Sequence, residues 1–361
     1  MKTWEKILAI ITAILLIAAF FVFDSFYIAP QRITTRRTDI TDERIPPQMD
    51  GVQILFFADL DYGTFVNDKR VQKLVDHINS LSPDVVIFGG DIYDTDAVPN
   101  ENSNELLSSM LRQIKAPLGK FAVLGDSDTR DEETADSMIT LLNAGGFEVL
   151  RNKSITLHNT GSQYITLTGL DNGLDGFDAE AGYSEVSRSS YVMTICHTPD
   201  SALQVPSDLT DYFLAAHSHG GQVWYFFGSL YTQPMAEYYM RGKHKVDDSF
   251  ILDISSGTGT RQQDVRFLSN SEVAVYTLHS LSVVEEEHEL QSEAPEESEE
   301  DQTEDNAPPS DEETDIFSEA YGESDTFEYN GGEETPQEEP EEPQEEAPAE
   351  PEPEPEEENE E

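Results

Sequence analysis

The chain is poor in cysteine: Cys196 is the only one in 361 residues. An intrachain disulfide and a cysteine-based metal cluster are both excluded. Basic residues are scarce as well, 21 Lys and Arg against 73 Asp and Glu, for a formal net charge of −52. The deficit is uneven. From residue 281 onward there are 36 acidic residues and no Lys or Arg, whereas the first 280 residues hold 37 acidic and 21 basic, a net of −16. Binding a nucleic acid requires a basic face to neutralise phosphates, and no stretch provides one. Also lacking is a small-x-small cleavage site after the apolar run near the N-terminus. That run is therefore expected to persist as an anchor rather than be removed as a signal peptide.

The run, residues 7–23, is apolar apart from Thr12. Extended through Asp24 and Ser25 to Ile28, it reaches roughly twenty residues, or about 30 Å of helix, enough to cross a bilayer. Residues 7–29 thus read as a single transmembrane helix behind a short flank, 1–6. Phe26 and Tyr27 would lie at the far interface, where aromatic side chains are favoured. Lys2 and Lys6 precede the helix while Arg32, Arg36 and Arg37 follow it, so the positive-inside rule weighs against export. Residues 30–50 are polar, carry Pro30, Pro46 and Pro47, and read as a linker, either a stalk or an edge strand. At the other end, 282–361 is rich in Glu and Pro and cannot bury enough apolar surface to fold. It reads as a disordered acidic tail, a solvated extension or a binder of cations or a basic partner. A cluster of Ile316, Phe317, Tyr321, Phe327 and Tyr329 interrupts it.

Between these ends, 51–281 alternates strands with helices. Residues 52–57, 85–88, 121–124, 165–170, 191–195 and 213–215 are short apolar runs that read as strands. Val71, Leu74, Val75, Ile78 and Leu81 recur at helical spacing, and Met138, Leu141 and Leu142 suggest a helix stopping near Gly145-Gly146. Most runs end close to an Asp or His: Asp59, Asp91, Asp126, Asp171, His197 and His217. Strand–helix alternation with polar groups at strand ends is an α/β architecture whose sites lie at the carboxyl edge.

The segment Leu214-Ala215-Ala216-His217-Ser218-His219-Gly220-Gly221-Gln222 carries the clearest chemistry. An extended backbone sends neighbouring side chains to opposite faces, so His-x-His puts both rings on one side. Paired imidazoles at a strand-to-loop junction suit a transition metal. A chance pair of surface histidines is the alternative, and the other strand ends decide between them: Asp59-x-Asp61, Gly90-Asp91-x-x-Asp94, Gly125-Asp126-Ser127-Asp128 and His197. In this order and spacing the chain resembles the calcineurin-like metallophosphoesterases, especially their membrane-anchored bacterial branch. Further on, Gly242, Lys243, Ser255-x-Gly257-x-Gly259 and Arg266-Phe267 look like that branch's closing strands.

The resemblance implies an α/β sandwich of two mixed sheets flanked by helices, with a dinuclear site on the loops after the strands. Asp59 would bind the first ion, Asp91 would bridge both, and His219 would complete the first site. His197 and His217 would serve the second. Two divalent ions (Mn, Fe, Zn or Mg) about 4 Å apart can clamp phosphoryl oxygens for in-line attack. Three positions depart from the family pattern. Asp61 stands where a histidine is usual, and Gly125-Asp126-Ser127-Asp128 replaces Gly-Asn-His-Asp/Glu. Asp61 and Asp126 can still coordinate, or can be solvated loop carboxylates. Ser127 cannot replace an imidazole, and general acid catalysis is worth roughly 10²–10⁴-fold; no catalytic residue is therefore assigned. Four carboxylates and a hydroxide against two divalent ions leave about one net negative charge, which repels an anionic ester. The oxygen-rich donor set also favours harder ions such as Mg, Mn or Ca.

Asp94 and Asp128 are expected to hold ligands in place by hydrogen bonds, His77 to be an ordinary helix residue, and His244 and Arg266 to reach the site rim. The reading is a membrane-anchored, metal-dependent phosphoesterase acting on a phosphomonoester, phosphodiester or pyrophosphate and weakened by its altered site. Its substrate would be a phosphorylated small molecule or a lipid-linked phosphoester. The resemblance puts the domain outside the cytoplasm on a single-pass anchor. The rival reading is a catalytically inactive scaffold, or a metal-binding protein, at the cell surface.

Overall fold

Short runs of Val, Ile, Leu and Phe build two six-stranded sheets. The computed structural model describes residues 2–225 and 228–285; the tail beyond residue 285, with its aromatic cluster, lies outside the described residues. The strands begin with β1 (Ile33–Asp42), β2 (Gln53–Phe57), β3 (Val85–Phe88), β4 (Gly119–Ala122) and β5 (Glu148–Val149). They continue with β6 (Lys153–Leu157), β7 (Ile165–Gly169), β8 (Val192–Ile195) and β9 (Tyr212–Ala215). A small hairpin, β10 (Trp224–Tyr225) and β11 (Gly228–Ser229), precedes β12 (Gly242–Val246), β13 (Phe250–Ile254) and β14 (Ser271–Ser280). The helices are α1 (Thr3–Phe23), α2 (Asp68–Ser80), α3 (Glu101–Leu111), α4 (Glu132–Ala144) and the short α5 (Ala179–Tyr183).

The first sheet runs β1-β14-β2-β3-β4-β5 and the second β12-β13-β9-β8-β7-β6. Strands β2 to β5 are mutually parallel, as are β7, β8, β9 and β13. All their carboxyl ends therefore fall on one edge of the sandwich. Strand alternation divides the core. Leu55, Phe57, Val86 and Phe88 face the apolar stripes of α2, α3 and α4. Ile54, Phe56, Val85 and Ile87 face the other way, onto Leu167, Met193, Ile195 and Leu214 of the second sheet. Burying each such side chain is worth about 1.5–3 kcal/mol, so the two sheets are held rigidly together. α2 starts where Asn67 accepts hydrogen bonds from the Lys69 and Arg70 amides, and α4 where Asp131 accepts one from Thr134. These are side-chain N-caps.

Of the two readings of the span 30–50, a stalk or an edge strand, the structure shows the edge strand. The middle of the span is β1, which pairs in parallel with β14 over the whole length of both strands. Among the described residues only one of its edges is paired, and its side chains stay largely polar. The expected closing strands also change place. Gly242 and Lys243 do lie in β12, but Ser255-x-Gly257-x-Gly259 and Arg266-Phe267 fall in loops after β13. Gly257 has φ +68°, and a Cβ there would collide with the Asp59 carboxylate. The segment is a close-fitting floor under the Asp59 turn rather than a strand.

At the N-terminus, Thr3–Gln31 is helical, long and apolar enough to cross a membrane. α1 passes at Asp24 into a wider turn, Asp24–Ile28, and then a 3-10 turn, Ala29–Gln31.

Candidate metal centre

The loops after β2, β3 and β4 bring carboxylates to the carboxyl edge, and those after β8 and β9 bring imidazoles. Asp59, Asp61, Asp91, His197, His217 and His219 are all buried, and Asp126 is partly exposed. Five of the seven have left-handed backbones: Asp59 (φ 49°), Asp61 (48°), Asp91 (61°), His217 (67°) and His219 (52°). Such conformations cost about 1–3 kcal/mol each and persist where the surrounding structure enforces them for a purpose. Gly220 and Gly221, also left-handed, let the chain turn back tightly behind the histidine pair.

Two imidazoles are fixed by backbone carbonyls. His197 Nδ1 lies 2.7 Å from the Gly89 carbonyl, and His217 Nε2 lies 2.9 Å from that of Pro234. A carbonyl can only accept, so each of those ring nitrogens carries the proton, and the other nitrogen of a neutral ring is a lone pair. The lone pair of His217 Nδ1 faces Asp126 Oδ1 at 2.9 Å. That of His197 Nε2 faces Asp91 Oδ2 at 3.3 Å and Asp126 Oδ1 at 3.4 Å. Acceptor opposes acceptor, an arrangement that only a cation or a proton relieves. Asp91, Asp126, His197 and His217 bring four donor atoms within 4.8 Å of one another, a group able to hold a metal ion.

A second set adjoins it. His219 Nε2 is 3.8 Å from Asp59 Oδ1, and its Nδ1 is 3.7 Å from Asp61 Oδ2. Among the described residues, the buried side-chain atoms without a hydrogen-bond partner fall mostly here: Asp59 Oδ2, Asp61 Oδ2, Asp91 Oδ2, Asp126 Oδ1, and ring nitrogens of His197, His217 and His219. Buried polar atoms are normally paired. Unpaired atoms on seven neighbouring residues, four of them within reach of a single ion, suit cation binding.

The charges agree. Burial pushes Asp59 up to about 6 against the pull of His197. Asp61 is driven well above the carboxylate range by burial and by Asp59 and Asp91. For Asp126 burial is overcome by His197 and His217, which hold it low. Burial alone would lower His197, but Asp91, Asp126 and Asp59 raise it well above an ordinary imidazole. Burial, Arg266 and Arg261 keep His219 well below it.

The surrounding residues sort differently from their sequence expectations. Asp128 accepts from the amides of Asp91, Ile92 and Gly125 at 2.8–2.9 Å, fixing the bridging turn, as expected of a supporting residue. Asp94 Oδ1 caps the Asp96 amide. Ser127 Oγ is turned inward, 2.8 Å from both Asp91 Oδ1 and the Tyr93 carbonyl, so it braces Asp91 rather than facing the open site. Asp171, at the end of β7, pairs with Arg151 and stays outside the cluster. His77 is a helix residue on α2, bonded to Thr35. His244 bonds the Arg241 carbonyl, away from the donors. Arg266 does not reach the rim. It is fully buried and donates to the carbonyls of Gly259, Ser256 and His219, beneath the ligand loops.

One residue was not anticipated. Arg261 donates to Asp126 Oδ2 at 2.8 Å, and its Nη1 lies 3.8 Å from Asp91 Oδ2. Its guanidinium is also held by Gln233 and Thr95. Two residues past the Gly257-x-Gly259 floor, it brings a fixed positive charge into a site whose residues alone gave a negative count.

The calcineurin-like phosphoesterase family model matches residues 52–221, from β2 through the histidine pair. The chain is 30% identical over 256 residues to the uncharacterized metallophosphoesterase YkuE of Bacillus subtilis, covering 70% of this chain and 88% of that one. It is 25% identical over 280 residues to the UDP-2,3-diacylglucosamine pyrophosphatase LpxG of Chlamydia trachomatis, covering 62% and 83%. A transmembrane protein with metallophosphoesterase domain from Danio rerio is 25% identical over 250 residues, covering 65% of this chain and 55% of that one. The chain belongs to the calcineurin-like phosphoesterase family, whose members use a dinuclear metal site.

Proposed function

We propose that this protein is a membrane-anchored phosphoesterase with a dinuclear metal centre that favours substrates with good leaving groups, a pyrophosphate above an alkyl phosphodiester. The observation that carries the reading is the opposition of imidazole lone pairs and carboxylates across one buried point. Asp59, Asp61 and His219 would hold one ion, Asp126, His197 and His217 the other, with Asp91 shared. Bound there, divalent ions supply Lewis-acid charge at a phosphoryl group and make water more acidic. The donor set, four carboxylates and three imidazoles, suits Mn or Mg as well as Fe or Zn.

The chain's own residues do the rest. Arg261 brings the count of one net negative charge to about zero, so an anionic ester is no longer repelled. Its planar guanidinium can turn from Asp126 to pair with a phosphoryl oxygen. Asp128 and Ser127 hold Asp91 from behind. Ser127 Oγ is engaged with Asp91 and the Tyr93 carbonyl, so the residue at the family's histidine position does not protonate a departing alkoxide. A phosphate leaving group needs no such proton, and the Chlamydia relative, named as a pyrophosphatase, points the same way. The same Ser127 geometry favours the second reading, a metal-binding scaffold without catalysis.

The test is to assay the full chain, loaded with Mn, on a pyrophosphate diester and on a dialkyl phosphodiester. Turnover of the first at least tenfold faster is expected. Metal bound at two ions per chain with neither substrate hydrolysed would establish the scaffold. For the anchor, α1 supports a single span, and the family resemblance, against the flanking charges, favours an extracytoplasmic domain; protease added to intact cells should remove it, and protection from protease would reverse the orientation.

A further inference from the structure

The apolar N-terminal helix and the metal centre meet through one short segment. β14 is antiparallel to β2, and β1 is parallel to β14, so β1 begins at the sheet edge that carries the ligands. The helix therefore enters the domain on the same side as the site. Phe21 of α1 sits edge-on to Phe267, ring centroids 6.3 Å apart at 85°. The Arg266 amide donates to the Ser25 carbonyl at 2.9 Å. Lys73 donates to Gln31, and Arg70 to Pro30, fixing the chain as it leaves the helix. From there the path to the site is short. The Phe267 amide donates to the Gln222 carbonyl, and the Gln222 side chain in turn holds the backbone of Arg261 and Gln263.

Two leucines stand exposed beside this junction. Leu268 is 61% exposed and Leu230 68% exposed. Arg241 lies over the Trp224 ring at 4.7 Å and donates to the Leu268 carbonyl. An aromatic ring and an arginine flanking exposed leucines, continuous with a membrane-length helix, are the groups that partition between acyl chains and head groups. We infer that the surface formed by Leu268, Leu230 and Trp224 rests in the bilayer interface, and that the metal centre therefore takes a phosphoester whose apolar tail stays in the membrane. This deepens, and rests on, the anchored phosphoesterase reading above.

The test uses the full chain in vesicles that contain doxyl-labelled phosphatidylcholine. Single cysteines are introduced as Leu268→Cys, Leu230→Cys and, at the opposite end of the strands, Ser162→Cys, each labelled with a small fluorophore. Cys196 is fully buried and escapes labelling. Quenching at 268 and 230 should exceed that at 162 at least threefold. Equal quenching at all three overturns the docking surface. So would a disulfide-linked dimer of Leu268→Cys without quenching, which would assign the patch to a second copy. In a parallel assay, Leu268→Asp should raise KM for a vesicle-borne phosphoester at least tenfold while leaving KM for bis-p-nitrophenyl phosphate unchanged; an equal rise for both overturns the substrate assignment. Quenching retained with neither substrate hydrolysed would sink the phosphoesterase reading and leave the membrane surface standing.

Discussion

The second sheet presents three imidazoles to the centre and the first presents four carboxylates, and the two sets are held by different means. His197 and His217 are aimed by neutral backbone carbonyls, so their direction is independent of what lies between them. The carboxylate side is held by charge and by hydrogen bonds: Arg261 donates to Asp126, Ser127 donates to Asp91, and Asp128 accepts from three amides. The rings of His197 and His217 keep their geometry with or without a cation, whereas neither ring nitrogen of His219 has a hydrogen-bond partner. The carboxylate half is complete only when positive charge is supplied, and its departures from the family pattern, Asp61, Asp126 and Ser127, all lie on that side.

If the carboxylate half alone limits catalysis, restoring it should have the largest effect. The combined change Asp61→His, Asp126→Asn and Ser127→His is expected to raise kcat on an alkyl phosphodiester by about 10²–10⁴-fold, the usual worth of a positioned general acid. No gain, with metal content intact, would mean that the loss lies beyond the site. Next in size is the contrast between a shared ligand and an unshared one. Asp91→Ala should remove both ions and His219→Ala one, read by elemental analysis of the purified chain. Equal losses would break the assignment of Asp91 as the bridge. Smaller still is the support behind it. Asp128→Asn loses one of the acceptor oxygens that hold the Asp91 turn, and metal affinity should fall by about 10–100-fold, as when other outer partners of metal ligands are lost. Unchanged affinity would show that the turn stands without it.

The same contrast explains what the sequence could disclose. Strands such as β2, β3, β8 and β9 are covered on both faces, so they read as unbroken apolar runs, and their ends point straight to the ligands. β1 is largely polar, and α3 offers only Leu106, Leu107, Met110 and Leu111 as an apolar face. Neither has a strong period to read. The family resemblance makes Ser255-x-Gly257-x-Gly259 read as a closing strand, whereas a positive φ at Gly257 fixes it as a loop. Arg261 resembled any surface arginine. Only the fold carries it across 135 residues to Asp126. Ser127 was legible as a lost imidazole, but its brace on Asp91 required coordinates.

The smallest effect expected separates the two halves by pH. In the metal-free protein burial holds Asp59 at about 6, and burial with Asp91 nearby holds Asp128 at about 7. An unfolded aspartate titrates near 3.9, so roughly between pH 4 and 7 the folded state binds more protons than the unfolded one. The contribution of these carboxylates to stability then falls as pH rises through that window, and His219, held well below an ordinary imidazole by burial and Arg266, opposes them there. His197, raised by its carboxylate neighbours, acts in the same direction above the ordinary imidazole range. Asp126, held low, acts oppositely, but only below the usual carboxylate range. A bound cation needs these ligands deprotonated, so metal binding releases protons and its stabilisation grows with pH. The difference in Tm between Mn-loaded and chelated protein should therefore be larger at pH 8 than at pH 5, by a few degrees. Surface groups common to both forms cancel in that difference, so a gap independent of pH would mean that the carboxylate half receives no cation.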